Sequence, residues 1–155
     1  MSRNRFFRIV CFIIFMVATA VVIMLENVDN GAYSANAVAI KALESSKYVT
    51  VEETANYIAF EPAGEFYNKG IIFYPGGKVE HTAYEPLLKK LAAAGVLCVL
   101  VQMPFRLAVL DMNAADGIQE KFPQVEHWYI GGHSLGGSMA ASYLDQHRDA
   151  FDGLV

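Results

Sequence analysis

His127-Trp128-Tyr129-Ile130-Gly131-Gly132-His133-Ser134-Leu135-Gly136-Gly137-Ser138-Met139-Ala140-Ala141 is the stretch whose reading decides the fold. His127 to Ile130 reads as a strand that runs into Gly131-Gly132, and Leu135 to His147 as a helix. Ser134 stands alone at the junction. A strand that turns into a helix within so few residues needs a tight, strained backbone. Side chains at Gly132 or Gly136 would strike the neighbouring strand and helix backbones, so glycine is the residue type such a junction needs. Gly131 and Gly137 extend the permissive stretch, and Ser138-Met139-Ala140-Ala141 keeps the first helical turns slim for close packing.

The pattern on either side repeats the same alternation. Tyr48 to Val51 and Asn56 to Glu61 read as two leading strands able to pair as a hairpin. Gly70 to Tyr74 is a short continuous apolar run that stops at Pro75-Gly76-Gly77, as strands buried on both faces of a parallel sheet do. Thr82 to Ala94 reads as a helix with Tyr84, Leu87, Leu88 and Leu91 on one face and Gly95 as its stop. Val96 to Val101 is another buried strand, Leu107 to Lys121 a helix ended near Pro123, and Phe151 to Val155 the start of a further strand. Strict alternation after the leading strands predicts an α/β fold: a doubly wound, mostly parallel sheet with flanking helices and right-handed crossovers. In such sheets chemistry sits at the carboxyl ends of the strands. The last strand stops in its middle, so the expectation is a truncated domain, part of a longer protein.

The N-terminus is of another kind. Arg3, Arg5 and Arg8 precede Ile9 to Leu25, a run without a charged residue. With Phe6 and Phe7 it approaches the ~20 residues of a membrane-spanning helix and exceeds the h-region of a signal peptide, about 7–15 residues. It is apolar on every face, which argues against a soluble helix. An uncleaved anchor is favoured over a signal peptide, because Ala35-Asn36-Ala37 lies too far downstream for a cleavage site. Either way the arginines stay inside and everything after Glu26 is exported. The expected organisation is a cytoplasmic basic segment over 1–8, a transmembrane anchor over 9–25, a linker over 26–46 that includes a short helix or stalk at Ala35 to Ser46, and the α/β domain over 47–155.

Composition narrows the function classes. The chain has 155 residues, 54% hydrophobic and 18% charged, with a formal net charge of −4. Beyond the basic N-terminus acidic residues outnumber basic ones, and no Lys/Arg cluster there matches a phosphate backbone, which excludes nucleic acid as a partner. Cys11 and Cys98 read as two buried small residues, with no disulfide and no zinc spacing between them. Cys11 lacks the preceding small residue of a lipoprotein signal. No metal and no cofactor is implied, and nothing in the sequence speaks to oligomeric state. The dinucleotide pattern G-x-G-x-x-G cannot be laid on residues 131–137, and Val79 after Gly76-Gly77-Lys78 breaks a P-loop.

What remains at the junction is a strand, Gly132-His133-Ser134-Leu135-Gly136, and a helix: the order of a nucleophile elbow. The serine hydroxyl projects from the sheet edge there, and the helix N-terminus offers free N–H groups that favour negative charge. The Leu135 N–H is a candidate oxyanion donor. The competing structural reading is a glycine-rich turn with Ser134 capping the helix.

From Gly70 through Val155 the chain resembles the N-terminal half of an α/β-hydrolase, close to the dienelactone-hydrolase-like and small esterase/lipase branch. The motifs that carry the resemblance are Gly132-His133-Ser134-Leu135-Gly136-Gly137 and Tyr74-Pro75-Gly76-Gly77. It implies Ser134 as nucleophile and a second oxyanion donor on Gly77, or on Lys78, with Pro75 in place of the family's usual His. It further implies an acid and a histidine in the order Ser, Asp or Glu, His, both falling beyond Val155. Without them the 155 residues alone are expected to be almost inert.

The histidines within the chain are poor substitutes. His133 is expected to point away from the serine and pack. His127 starts its strand, about 13 Å or more from the edge that carries Ser134. His147 lies about 20 Å along the helix. His81, just past Gly76-Gly77, is the best placed of the four, and its expected role is a surface or substrate contact. Asp111 and Asp116 read as solvent-facing helix residues, and Met103-Pro104-Phe105-Arg106 as a loop at the edge of the pocket. The resemblance implies a serine hydrolase acting on a small-molecule or lipid acyl substrate, which the N-terminal apolar run makes membrane-anchored and extracytoplasmic. An acyltransferase on the same scaffold, or a membrane-anchored binding protein with a relict elbow, are the alternatives.

Overall fold

A computed structural model describes residues 3–31, 33–35, 44–64 and 66–155. Among the described residues six strands form one sheet: β1 (Val49–Glu53), β2 (Tyr57–Pro62), β3 (Lys69–Tyr74), β4 (Leu97–Val101), β5 (His127–Gly132) and β6 (Gly153–Leu154). Among the described residues three α-helices accompany it: α1 (Arg3–Asn30), α2 (Glu85–Ala93) and α3 (Leu135–Gln146). The strand order is β1-β2-β4-β3-β5-β6. β1 and β2 form the expected hairpin, and β2 also runs antiparallel to β4. From β4 onward all pairs are parallel, so the sheet is mixed, with its antiparallel part confined to the leading hairpin.

The period-two alternation of the strands builds two cores. Ile72 and Tyr74 of β3, with Leu97, Val99 and Val101 of β4 and Ile130 of β5, face α3 through Ala140 and Tyr143. Ile71, Cys98 and Leu100, with Ile58 and Phe60, face α2 through Leu88 and Ala92. Tyr74 and Ile72 are fully buried, which is why the run Gly70–Tyr74 carries no charged residue.

Three expectations need correction. The face that α2 buries is Glu85, Leu88 and Ala92, whereas Leu87 and Leu91 are exposed. The helix begins only at Glu85; His81–Tyr84 is a 3-10 turn, and this lead-in rotates the register of the apolar positions.

The helix expected over Leu107 to Lys121 is absent. Two 3-10 turns, Ala108–Leu110 and Gln119–Lys121, stand there, joined by irregular turns. The cause is tertiary. The Tyr74 hydroxyl donates to the Met112 carbonyl (2.7 Å) and accepts from the Ala115 N–H (3.1 Å). Those backbone groups are therefore drawn toward β3. Asp116 N–H turns back to Asn113 instead of Met112, and Gly117 has φ +70°. Ala108, Ala115, Ile118 and Phe122 still reach the core, so the apolar spacing is satisfied without a helix.

Cys98 is buried as expected, but Cys11 is exposed, because it lies on α1. Within α1 the 20-residue span Arg5–Met24 has a mean hydropathy of 2.7 and no part of it is buried against the rest of the chain. It is a candidate membrane span. Most of the segment Ala35 to Ser46, read as a short helix or stalk, lies outside the described residues.

Candidate active site

β3 and β5 are parallel neighbours with Tyr74 paired to Gly132, so their carboxyl ends emerge side by side. Pro75-Gly76-Gly77 leaves one and His133-Ser134 the other. A Cβ on Gly132 would lie 2.6 Å from the Tyr74 carbonyl oxygen, and one on Gly136 would collide with the carbonyl oxygens of Tyr74 and Pro75. Both obstacles are backbone and cannot swing aside, which gives the two glycines of the motif their physical reason.

Ser134 has φ 53° and ψ −120°, a conformation that a non-glycine residue adopts only under constraint. It directly precedes α3 but makes no side-chain capping bond. The reading of Ser134 as a helix cap is thereby excluded. The residue is exposed, and among the described residues no side chain hydrogen-bonds to its hydroxyl.

The N–H groups around it divide cleanly. Gly136 N–H donates to the His133 carbonyl (2.9 Å) and Ser138 N–H to the Ser134 carbonyl (3.1 Å). Lys78 N–H donates to the Arg106 carbonyl (3.0 Å). Among the described residues, the Leu135 and Gly77 N–H groups have no acceptor. Of the two neighbours the sequence left open, Lys78 N–H is therefore committed and Gly77 N–H is not. Gly77 and Leu135 are adjacent: a Cβ on Gly77 would sit 3.1 Å from Leu135 Cδ2.

The histidines are spread out. His133 Nδ1 shares a hydrogen bond with the Tyr84 hydroxyl (2.9 Å), which also accepts from the Gly76 N–H (3.0 Å). A Cβ on Gly76 would lie 2.6 Å from His133 Nδ1, so this small knot holds the Gly76-Gly77 loop against the elbow. His133 is thus tied to Tyr84, and among the described residues it makes no hydrogen bond to Ser134. Tyr84, read from sequence only as part of a helix face, is the residue that reasoning missed; its i−8 relation to Gly76 carries no periodic signal. His127 lies at the far end of β5, paired in register with Lys69 and 3.4 Å from the Asp152 carboxylate. His147 stacks on Tyr143 at 4.0 Å and bonds to its carbonyl. His81 is partly buried at the same edge as Gly77, and desolvation lowers its pKa, against the opposing pull of Glu80 and Glu53. Asp116 is solvent-exposed as expected but lies in a turn and not a helix, and it accepts a 2.6 Å bond from the Tyr143 hydroxyl, tying the irregular segment to α3.

Residues 70–155 match the sequence model of the alpha/beta hydrolase family, and the chain belongs to that family. Similar solved structures include an esterase from Pyrobaculum calidifontis, at 18% identity and TM-score 0.52, over 72% of this chain and 44% of that one. An esterase/lipase from an uncultured bacterium matches at 15% identity and TM-score 0.51, over 81% and 45%. An epoxide hydrolase from an endophytic Streptomyces matches at 14% identity and TM-score 0.53, over 70% and 37%. At these identities the likeness is one of fold. The chain spans less than half the length of each of these three. No curated protein is matched.

Proposed function

We propose that this chain is the nucleophile-bearing part of a membrane-anchored, extracytoplasmic serine hydrolase acting on an ester or related acyl compound. The observation that carries the proposal is Ser134 itself, held at positive φ beside the Leu135 and Gly77 N–H groups, with no hydrogen-bond partner for its hydroxyl or for those two N–H groups among the described residues. Family membership supports it, as does the fold shared with proteins named esterases.

In this reading a histidine beyond Val155, oriented by an Asp or Glu, takes the Ser134 proton as Oγ attacks the substrate carbonyl carbon. The Gly77 and Leu135 N–H groups donate to the oxyanion. Collapse of the intermediate breaks the bond to the alcohol oxygen, which leaves with the proton from the histidine. Water then adds to the acyl-enzyme, its proton passing to the histidine, and the acid departs as Ser134 recovers its proton. Gly132 and Gly136 shape the elbow, and His133 steadies it through Tyr84. Residues 1–8 are then the cytoplasmic segment, 9–25 the anchor, 26–46 the linker and 47–155 the start of the hydrolase domain. The arginine-flanked apolar span supports that topology.

The test is labelling of the full-length protein in detergent with a fluorophosphonate, beside Ser134→Ala and the 155-residue fragment. Labelling of the full-length wild type alone is the expected result. A folded full-length protein that fails to label overturns the proposal in favour of a binding protein with a relict elbow.

A further inference from the structure

We infer that the sheet edge carrying Ser134 lies against the bilayer surface, and that the substrate is an acyl ester held in that bilayer. The inference rests on the proposed reading of α1 as an anchor and of Ser134 as a nucleophile, and adds which face meets the membrane and where the substrate resides.

The geometry of the tether carries it. The apolar span ends at Met24, and the helix continues to Asn30, about 9 Å further at its ordinary rise. The chain then docks at once. Tyr33 N–H donates to the Lys78 carbonyl (2.7 Å), and its own carbonyl accepts from the Glu80 N–H (2.9 Å), a short parallel bridge alongside Val79. Ala35 N–H donates to Glu80 Oε2 at 2.7 Å. Helix α1 also touches the turn Pro104–Arg106, which Lys78 N–H joins through the Arg106 carbonyl. Residues 78–80 and 104–106 are the loops leaving the carboxyl ends of β3 and β4. The tether is thus fastened to the edge where Gly77 and Ser134 stand, not to the opposite end near Lys69 and His127. An anchor docked there holds that edge close to the membrane.

The side chains at this edge suit a bilayer. Phe105, Val109 and Leu110 are 42%, 57% and 48% exposed, and Tyr33 is 75% exposed. Phe105 and Arg106 both have positive φ, 50° and 55°, so an aromatic side chain is held outward by a strained backbone. Exposed apolar side chains on a loop beside an interfacial tyrosine match the composition of membrane–water boundaries. A site opening onto such a surface receives esters whose acyl chains lie in the bilayer, in preference to dissolved ones.

The experiment uses the full-length protein in phosphatidylcholine vesicles. Leu110→Trp reads position: quenching of its fluorescence by lipids with brominated acyl chains is expected, and its absence overturns the orientation, leaving a later segment or a second copy as the cover of the patch. The double variant Val109→Ser/Leu110→Ser reads substrate. Cleavage of a fluorogenic ester embedded in the vesicles should fall about tenfold, and that of a short-chain water-soluble ester change by less than about twofold. Equal loss on both overturns the substrate assignment. Quenching with no cleavage of either ester by the wild type upholds the orientation and overturns the hydrolase reading beneath it.

Discussion

Two connections between strands face the same core and were built by opposite means. The turn from β5 into α3 is held by its own residues: glycines at 132 and 136 let backbone meet backbone, and only one path fits. The segment from Leu107 to Lys121 is held by a residue far away in sequence, Tyr74, whose hydroxyl grips Met112 and Ala115. The first is a steric rule written locally. The second is a hydrogen-bond choice made only after β3 is in place. The difference teaches where sequence reading is trustworthy: local sterics can be read, and long-range hydrogen bonds that compete with a helix cannot.

The largest expected effect tests the steric side. Gly136→Ala places a methyl against the carbonyl oxygens of Tyr74 and Pro75, and should cost more than about 3 kcal/mol, enough to unfold a domain of ordinary stability. Thermal unfolding of the detergent-solubilised protein measures it; a loss under about 1 kcal/mol would mean the elbow is looser than its contacts imply.

Tyr74→Phe tests the other side. It keeps the ring in the core but leaves the part-buried Met112 carbonyl and the buried Ala115 N–H without their partner, a cost of about 1–3 kcal/mol. Freed of that grip, the segment 107–121 should gain helical circular dichroism. A variant with unchanged stability and unchanged spectrum would show that Asp111, Asn113 and Gly117 alone forbid the helix.

Glu85 gives a pH-dependent prediction. It is fully buried at the start of α2 with neither carboxylate oxygen hydrogen-bonded among the described residues, and burial pushes its pKa up to about 7, with Glu53 and Glu80 adding to the shift. The folded state holds a proton that the unfolded chain releases near pH 4.5. Its contribution to stability is therefore full below that pH and is lost as pH rises through about 7. Glu85→Gln should match the wild type at pH 4 and exceed it by about 1–2 kcal/mol at pH 8, read from unfolding curves at both.

The smallest effect sharpens the account of the elbow. Ser134→Gly relieves the positive φ and should stabilise the fold by about 1 kcal/mol while abolishing fluorophosphonate labelling. Stability unchanged or lowered would mean that the serine side chain contributes contacts that outweigh its strain.

By itself the sequence determined the strands, the hairpin and the glycine-lined turn from strand into helix. The apolar runs at Gly70–Tyr74 and Val96–Val101 are too continuous for anything but buried strands, and glycines at 132 and 136 leave one steric solution. The apolar N-terminal run was equally plain, because its length and lack of charge need no partner to be read. Tertiary structure alone decided the rest. It turned Leu107–Lys121 away from helix through the Tyr74 hydroxyl, shifted the buried face of α2 to Leu88 and Ala92, and tied Tyr84 to Gly76 and His133. It also fastened Tyr33 to the loop after Gly77. Each of these joins residues distant along the chain through one or two directional bonds, and such bonds leave no periodic mark in a sequence because their cause is the three-dimensional approach of the groups that make them.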